Sequence, residues 1–329
     1  AVRNAAEWPA RRHELLAVAL TLVYGVLPPA PEAVGCMELH VATLRHLRSA
    51  RLGSYRVSAD GHHAFLMQVY APEGEGPFPV IVNGDACWHY ATDAVLEAIL
   101  SRGYAFAQFN RVEIAADNAQ AAHAAHSSIA RWAWAYHRAV DALNQQSFID
   151  PAQIAVVGHS RGGKAALLAG ATDERIALTS ANNSGAGGAG CFRWGAPGAE
   201  TLADIVTQFP HWFGPDFKSY AGREHELPFD QHFLKALVAP RSLLTTEALG
   251  DLWASPAGSW LTHLAARRVY EFLGAGERIA MAYREGGHEH SLGDWRTLLD
   301  YCDTVFRCAP RPAVLAVEPF AHLTGKLQT

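Results

Sequence analysis

Residues 154–168 constrain the fold more than any other stretch, and they read IAVVGHSRGGKAALL. Four apolar residues, three of them β-branched, meet a serine set between glycines, and a helix-forming series follows from Lys164. The segment GHSRG at 158–162 fits the pattern G-x-S-x-G, in which a strand turns sharply into a helix and lifts the serine hydroxyl above a sheet. The sequence therefore predicts that Ser160 is exposed at this bend as a nucleophile.

The rest of the chain alternates between strand and helix patterns. Apolar runs predict strands at 64–70, 79–82, 105–109, 154–157, 176–180, 242–246 and 279–283. Helical patterns lie at 92–102, 121–145, 164–171 and 258–273. This alternation predicts an α/β fold, a three-layer sandwich with a mostly parallel sheet and helices on both faces. Because no Gly/Ser/Pro linker divides the chain, we expect a single catalytic domain over 1–329, with an aromatic-rich insertion near 190–235.

The two ends of the chain are expected to lie on the surface. Residues 11–24 place two arginines before an apolar run, as a signal peptide does, but His13 and Glu14 interrupt that order and prolines follow at 28, 29 and 31. We interpret this segment as an amphipathic surface helix. No stretch reaches the ~18 to 20 apolar residues of a membrane-spanning helix. The proline-containing tail from Ala309 is predicted to wrap around the domain.

Composition excludes several classes of partner. The net charge of -5, without a lysine or arginine run, gives no electrostatic footprint for nucleic acid or an anionic membrane. A small-molecule or carbohydrate substrate is the better expectation, bound by a monomer. The 5 cysteines are odd in number and form no Cys-x-x-Cys pair, which disfavours a zinc knuckle or a disulfide framework and leaves one disulfide open.

A serine nucleophile needs a histidine base and an acid, which follow in the order Ser, acid, His in folds of this kind. The predicted strand 242–246 ends near Glu247 and Asp251, and the predicted strand 279–283 runs into His288 and His290 after two glycines. Both loops suit the two roles, and the choice within each pair stays open at this point. A metal site at the two histidines is disfavoured, because no third ligand cluster accompanies them.

A second glycine motif points to a different chemistry. Residues 185–190 read GAGGAG, which satisfies G-x-G-x-x-G and would suggest a dinucleotide site. No helical pattern follows it, since CFRWG intervenes at 191–195. We therefore expect no nucleotide, no metal and no other cofactor.

Several motifs together resemble the glucuronoyl esterases, carbohydrate esterase family fifteen, of the α/β-hydrolase superfamily. They are GHSRGGK at 158–164, SGAGG at 184–188, LPFDQH at 227–232, APR at 239–241 and DLWASP at 251–256. The resemblance implies hydrolysis of esters of (4-O-methyl-)D-glucuronate in lignin-carbohydrate complexes. It further implies that Arg161 helps to bind the oxyanion, that Lys164 contacts sugar hydroxyls and that Trp253 lies beside the sugar.

The chain departs from the family pattern at two places. Many fungal members join a cysteine before the serine to one after the catalytic histidine, but this chain has His159 and Ser291 there. Matching the loop through that cysteine makes His290, not His288, the catalytic histidine. The family commonly takes its acid from a glutamate where this chain has Asn183, but some bacterial members use a carboxylate after the following strand. Asp251 is therefore the expected acid, with Glu247 in reserve.

Two rival functions share these features. An acetyl xylan esterase or a dienelactone-type hydrolase would use the same catalytic residues with a different pocket. A catalytically silent carbohydrate-binding protein would keep the fold without the chemistry. The polymeric substrate implied by the resemblance leads us to expect an extracellular or periplasmic location.

Overall fold

The computed structural model describes residues 2–59, 61, 63–121 and 125–328. Within them the strands are β1 (Val34–Leu44), β2 (Ala50–Ala59), β3 (His63–Ala71), β4 (Phe78–Asn83), β5 (Ala105–Phe109), β6 (Ile149–His159), β7 (Leu178–Asn182), β8 (Ser242–Ala248) and β9 (Ile279–Arg284). The α-helices of the same residues are α1 (Trp8–Ala19), α2 (Asp93–Ser101), α3 (Ser128–Leu143), α4 (Arg161–Thr172), α5 (Leu202–Gln208), α6 (His232–Val238), α7 (Pro256–Phe272) and α8 (Leu292–Arg307).

All of these strands belong to one sheet in the order β1-β2-β3-β5-β4-β6-β7-β8-β9. Strands β1, β2 and β3 run antiparallel to their neighbours, whereas β5, β4, β6, β7, β8 and β9 pair in parallel. Parallel pairing requires crossover helices, which bury both faces of the sheet. The carboxyl ends of β6, β7, β8 and β9 consequently meet at one edge.

Two apolar layers hold the helices against the sheet. Residues of α1, α3, α4 and α6 join one layer, and residues of α2 and α8 join the other on the opposite face. The segment 190–235 contributes Phe192, Trp212, Phe213 and Phe217 to the first layer. These four aromatic residues are therefore buried in the main core.

The structure differs from the predicted elements at the hairpin of β1 and β2, at α8 and at α3. The hairpin of β1 and β2 and the helix α8 were not predicted. Helix α3 begins at Ser128, seven residues after the predicted start, and residues 122–124 of that prediction lie outside the described residues. The amino-terminal helix packs Trp8, Leu15 and Ala19 into the core.

The carboxyl-terminal tail lies beside α7. Phe320 and Leu323 pack against a small cluster that contains Trp260 and Leu261 of that helix. Across the part of the chain that the structure describes, no helix is long and apolar enough to cross a bilayer. All five cysteines fall within that part, and none of them forms a disulfide.

Candidate active site

The predicted bend at Ser160 is a sharp turn between β6 and α4. Ser160 has φ 56° and ψ -123°, a conformation that non-glycine residues rarely adopt. A Cβ atom at Gly158 would collide with the backbone of Gly162, and a Cβ atom at Gly162 would collide with the carboxylate of Asp85. Only glycine fits at both positions, which explains the G-x-S-x-G spacing in physical terms.

A continuous hydrogen-bonded relay runs from Ser160 to a buried acid. The Nε2 atom of His288 lies 2.9 Å from Ser160 Oγ. The Nδ1 atom of the same ring lies 2.5 Å from Asp251 Oδ2. Asp251 is almost fully buried, whereas the side chain of His288 is 44% exposed. The structure thus brings together three residues that are distant in the chain, with 128 positions between Ser160 and His288.

The position of His290 corrects the sequence-based choice of histidine. Bends at 285–288 turn the chain after β9, so that His288 faces Ser160 and His290 points inward. The His290 ring stacks on Trp295 at 4.4 Å between centroids, and burial holds its pKa well below the usual range. Matching this loop through a disulfide whose two cysteines are absent here leaves the register of the loop unfixed.

The two candidate acids, Asp251 and Glu247, have different surroundings in the structure. Asn183 donates a hydrogen bond from Nδ2 to Asp251 Oδ2 at 2.6 Å. Burial by itself would raise the pKa of Asp251, but hydrogen bonds from His288 and Asn183 outweigh it and lower that pKa. Glu247 lies fully buried inside β8, where burial raises its pKa to about 8. The Nδ1 atom of His288 contacts Asp251 and not Glu247.

A cavity of about 250 Å³ opens beside the relay. Its walls are Ser160, Arg161, Lys164, Asn183, Ser184, Gly185, Glu200, Gln208, Phe209, Trp212, Trp253, Ala254 and His288. All three residues that the family resemblance assigned to oxyanion and sugar, Arg161, Lys164 and Trp253, line this one space. A larger crevice of about 560 Å³ lies at the amino ends of the parallel strands, beside Arg241 and Ser242, and contains no residue of the relay.

The glycine-rich segment at 185–190, with the preceding Ser184, binds the side chain of Lys164. The Lys164 ammonium donates to the backbone oxygens of Ser184 at 2.6 Å and Ala186 at 2.5 Å. Burial lowers the pKa of Lys164 to about 8, which the carboxylate of Glu200, 3.9 Å away, partly opposes. Backbone carbonyls here face a cation, which is the reverse of a phosphate-binding loop.

Aromatic rings and a carboxylate hold Arg161 in place. Its guanidinium donates to Asp117 Oδ2 at 2.7 Å, and its Cζ atom lies 4.8 Å from the ring centre of Trp212. Asp117 also accepts hydrogen bonds from His211 at 2.9 Å and from the Trp212 indole at 2.7 Å. One carboxylate therefore fastens the aromatic-rich segment to the residue that follows the serine.

A comparison with known protein families identifies the family of this chain. A family model described as glucuronyl esterase, fungi, matches residues 56–274. The chain belongs to the glucuronoyl esterase family. Its α/β-hydrolase fold and its predicted family are thereby confirmed.

Three similar proteins place this glucuronoyl esterase family member among its relatives. It is 31% identical over 310 residues to a 4-O-methyl-glucuronoyl methylesterase of Podospora anserina, covering 88% of this chain and 61% of that one. The chain thus spans less than two thirds of that relative. A family 15 glucuronoyl esterase from Caldicellulosiruptor kristjansonii matches with a TM-score of 0.83 at 30% identity, over 97% of this chain and 91% of that one. A Sporotrichum thermophile glucuronoyl esterase in complex with methyl 4-O-methyl-β-D-glucopyranuronate matches with a TM-score of 0.78 at 25% identity, over 99% and 91%.

An aromatic stack holds the histidine loop against the residue that precedes Ser160. His159 stacks on His290 with centroids 5.6 Å apart and an interplanar angle of 15°. Ser291 caps α8 and accepts a hydrogen bond from the amide of Asp294 at 3.2 Å. Ring packing and a helix cap thus anchor the histidine loop.

Sequence reasoning missed several residues of this glucuronoyl esterase site. Glu200 lies in an irregular segment without a recognisable motif, so no local signal could identify it. Asn183 was noted only as a lost acid, and its role as a donor depends on the tertiary contact with Asp251. The aromatic composition of 190–235 indicates that aromatic side chains pack in this region, but no sequence spacing identifies Phe209 and Trp212 as cavity walls.

Proposed function

We propose that this protein is a serine esterase that hydrolyses esters of 4-O-methyl-D-glucuronate, as the names of its relatives indicate for those proteins. The observation that carries the proposal is the relay Asp251–His288–Ser160 opening onto a cavity that also contains Lys164. The relay supplies an activated nucleophile. The cavity supplies charged and aromatic groups suited to a sugar acid.

In the first half of the reaction, Ser160 Oγ attacks the ester carbonyl carbon while His288 Nε2 takes the hydroxyl proton. Asp251 orients the imidazole and stabilises its charged form. The backbone N–H of Arg161 lies in the first turn of α4, where amides have no carbonyl partner within their own helix, and it binds the developing oxyanion together with the guanidinium. The C–O bond to the alcohol then breaks, and the alcohol leaves with the proton from His288.

In the second half, water attacks the acyl-enzyme carbonyl and gives a proton to His288. The bond to Ser160 Oγ breaks, the serine regains its proton from His288, and the free uronic acid is released. Every step uses groups of this chain and water. Losing one oxyanion donor typically costs about 2.7–4 kcal/mol of transition-state stabilisation.

The cavity provides complementary groups for the uronate. An ammonium group has three N–H donors, and Lys164 uses two of them on the carbonyls of Ser184 and Ala186. The third donates to a sugar hydroxyl. Glu200 accepts hydrogen bonds from neighbouring hydroxyls, and Trp253 covers an apolar face of the ring.

A substrate panel tests the proposal against its rivals. We expect the wild-type enzyme to hydrolyse methyl 4-O-methyl-glucuronate faster than acetylated xylan or 4-nitrophenyl acetate, and Ser160→Ala to reduce turnover to background while remaining folded by circular dichroism. Preference for acetylated xylan would instead assign an acetyl xylan esterase. Activity on none of the three substrates would favour the silent carbohydrate-binding protein.

We further propose that residues 1–329 form one catalytic domain that acts as a monomer in an extracellular or periplasmic location. The single continuous sheet supports the first point. The location follows from the substrate, because a plant cell-wall polymer is encountered outside the cytoplasm.

A further inference from the structure

A second cavity, of about 240 Å³, lies at the β9 edge of the sheet. Residues of α7, of the segment 276–281 that leads into β9 and of the tail segment 311–318 form its walls. Among the residues that the structure describes, these walls share none with the cavity beside the relay, whose volume is about 250 Å³. The proposed function assigns that first cavity to one uronate ring, and on this comparison the second cavity has room for one sugar ring.

The charges in the walls of this second cavity balance. Arg267 and Arg311 stand there with Glu277 and Glu318, two charges of each sign. Burial lowers the pKa of His263, another residue of the walls, well below its usual range, so that this ring is neutral. The walls of the uronate cavity contain two cationic side chains and one glutamate. Balanced charges suit a neutral ligand, whereas the excess of cations beside the relay suits an acid.

Two buried rings of α7 in these walls have unused hydrogen-bonding atoms. Trp260 and His263 are 3% and 6% exposed, and their rings stack with centroids 6.0 Å apart. Neither Trp260 Nε1 nor His263 Nδ1 has a hydrogen-bond partner within the described part of the chain. Because buried polar atoms are nearly always partnered, such a pair indicates a place where a ligand hydroxyl or a water binds.

Contacts on the protein hold both arginines of the cavity in place. The Arg267 guanidinium pairs with Glu271, with 2.9 Å between Nε and Oε1. Arg311 donates to the backbone oxygens of Glu277 at 2.5 Å and Ile279 at 3.3 Å. A guanidinium has five N–H donors, more than these contacts use. Preorganised donors and the carboxylates beside them match hydroxyl groups, which both donate and accept.

We propose that this cavity is a second carbohydrate site, which binds one neutral sugar ring of a polysaccharide. Arg267 donates to a hydroxyl of the ring, and Glu318 accepts from another. The C–H groups of the ring pack on the apolar side chains of Met281 and Val317, which also line the cavity. The site holds a polymer at a second point and takes no part in the chemistry, so that it raises the local concentration of substrate.

Titration calorimetry with xylotriose and cellotriose, two neutral sugars with different backbones, tests the site. We expect the wild type to bind at least one of them, and Arg267→Ala to weaken that binding about 2- to 10-fold, as for the loss of one hydrogen bond. Arg268→Ala removes the same charge from the next residue of α7, which is exposed and lies outside the cavity walls, and it should leave the affinity unchanged. Glu318→Ala should weaken binding to a similar extent as Arg267→Ala. All three variants should keep the wild-type kcat/KM for methyl 4-O-methyl-glucuronate.

Several results would overturn the inference without touching the esterase. These are an absence of binding by either sugar, an affinity that is the same in Arg267→Ala and wild type, and equal losses in Arg267→Ala and Arg268→Ala. Unchanged or stronger binding in Glu318→Ala would refute the neutral class of the ligand, because removal of a carboxylate favours an anion. Failure of the wild type to hydrolyse glucuronate esters would refute the proposed function instead, and the titrations would still decide whether the second cavity binds a sugar.

Discussion

At the scale of single residues, the site depends on what faces each nitrogen of His288. Its Nε2 atom faces Ser160 and its Nδ1 atom faces Asp251. Asn183 occupies the position where the family commonly has a glutamate, and it donates to Asp251 in place of supplying a charge. The lowered pKa of Asp251 keeps that carboxylate ionised at neutral pH, as an imidazolium partner must be.

The assignment of Asp251 as the acid is tested by a pair of matched amide variants. Asp251→Asn removes the charge that stabilises imidazolium and should lower kcat on methyl 4-O-methyl-glucuronate by up to ~10⁴-fold with little change in fold. Glu247→Gln changes a carboxyl group four residues earlier that does not contact His288, and it should retain most of kcat. Near-normal turnover in Asp251→Asn with collapse in Glu247→Gln would transfer the role to Glu247.

The buried ammonium of Lys164 predicts a pH-dependent KM. Burial lowers the pKa of Lys164 to about 8, so the group is protonated below that pH and neutral above it. A neutral amine keeps two N–H donors for the carbonyls of Ser184 and Ala186 and has none left for the sugar. KM for methyl 4-O-methyl-glucuronate should therefore rise several-fold from about pH 7 to about pH 9.

Two controls accompany this pH profile. KM for 4-nitrophenyl acetate, which has no sugar hydroxyls, should stay flat over the same range. Lys164→Met should have a raised KM for the glucuronate ester that no longer depends on pH. A wild-type KM that is equal at both ends of the range would show that the Lys164 charge does not bind the sugar.

At the scale of elements, a buried ion pair holds the segment after β4 against the serine bend. The Asp85 carboxylate pairs with Arg111 and also accepts a hydrogen bond from the His159 amide. Both side chains of the pair are fully buried, and the Arg111 guanidinium lies 5.0 Å from the Trp132 ring. The arrangement joins β4, β6 and α3 directly beneath Ser160.

Removal of one partner of this pair should destabilise the fold. Asp85→Ala leaves a buried guanidinium without its counter-charge and should lower the free energy of unfolding in urea by about 3–5 kcal/mol. Asp216→Ala, at an exposed aspartate, should change it by no more than about 0.5 kcal/mol. The double variant Asp85→Ala/Arg111→Met should recover part of the loss, because it leaves no unpaired charge. A loss no greater than that of Asp216→Ala would contradict this account of the bend.

The elements differ in how far the sequence predicts them, for physical reasons. Strands β5 and β9 are short runs of mostly apolar residues buried on both faces, and their patterns appear directly in the sequence. Strand β1 lies at the sheet edge with most of its residues exposed, so no apolar run marks it. Helix α8 carries a helical signal in the sequence, because its buried residues at 295, 298, 299 and 302 follow a Ser291 cap at helical spacing.

At the scale of the whole molecule, parallel pairing assembles the site. Ser160 follows β6, Asn183 follows β7, Asp251 closely follows β8 and His288 closely follows β9. Ligands and reacting groups gather at the carboxyl ends of strands in open α/β sheets. Chain order could thus predict which loops meet. Which histidine of a loop faces the serine depends on side-chain packing, and the stack of His290 on Trp295 decides it here.

The most direct test of the account replaces each histidine of the loop with phenylalanine and compares kcat/KM for methyl 4-O-methyl-glucuronate. His288→Phe removes the base between Ser160 and Asp251 and should reduce kcat/KM by roughly 10⁴-fold or more. His290→Phe preserves a ring against Trp295 and His159 and should keep most of the activity. Loss of activity in His290→Phe together with its retention in His288→Phe would contradict the relay and the function built on it.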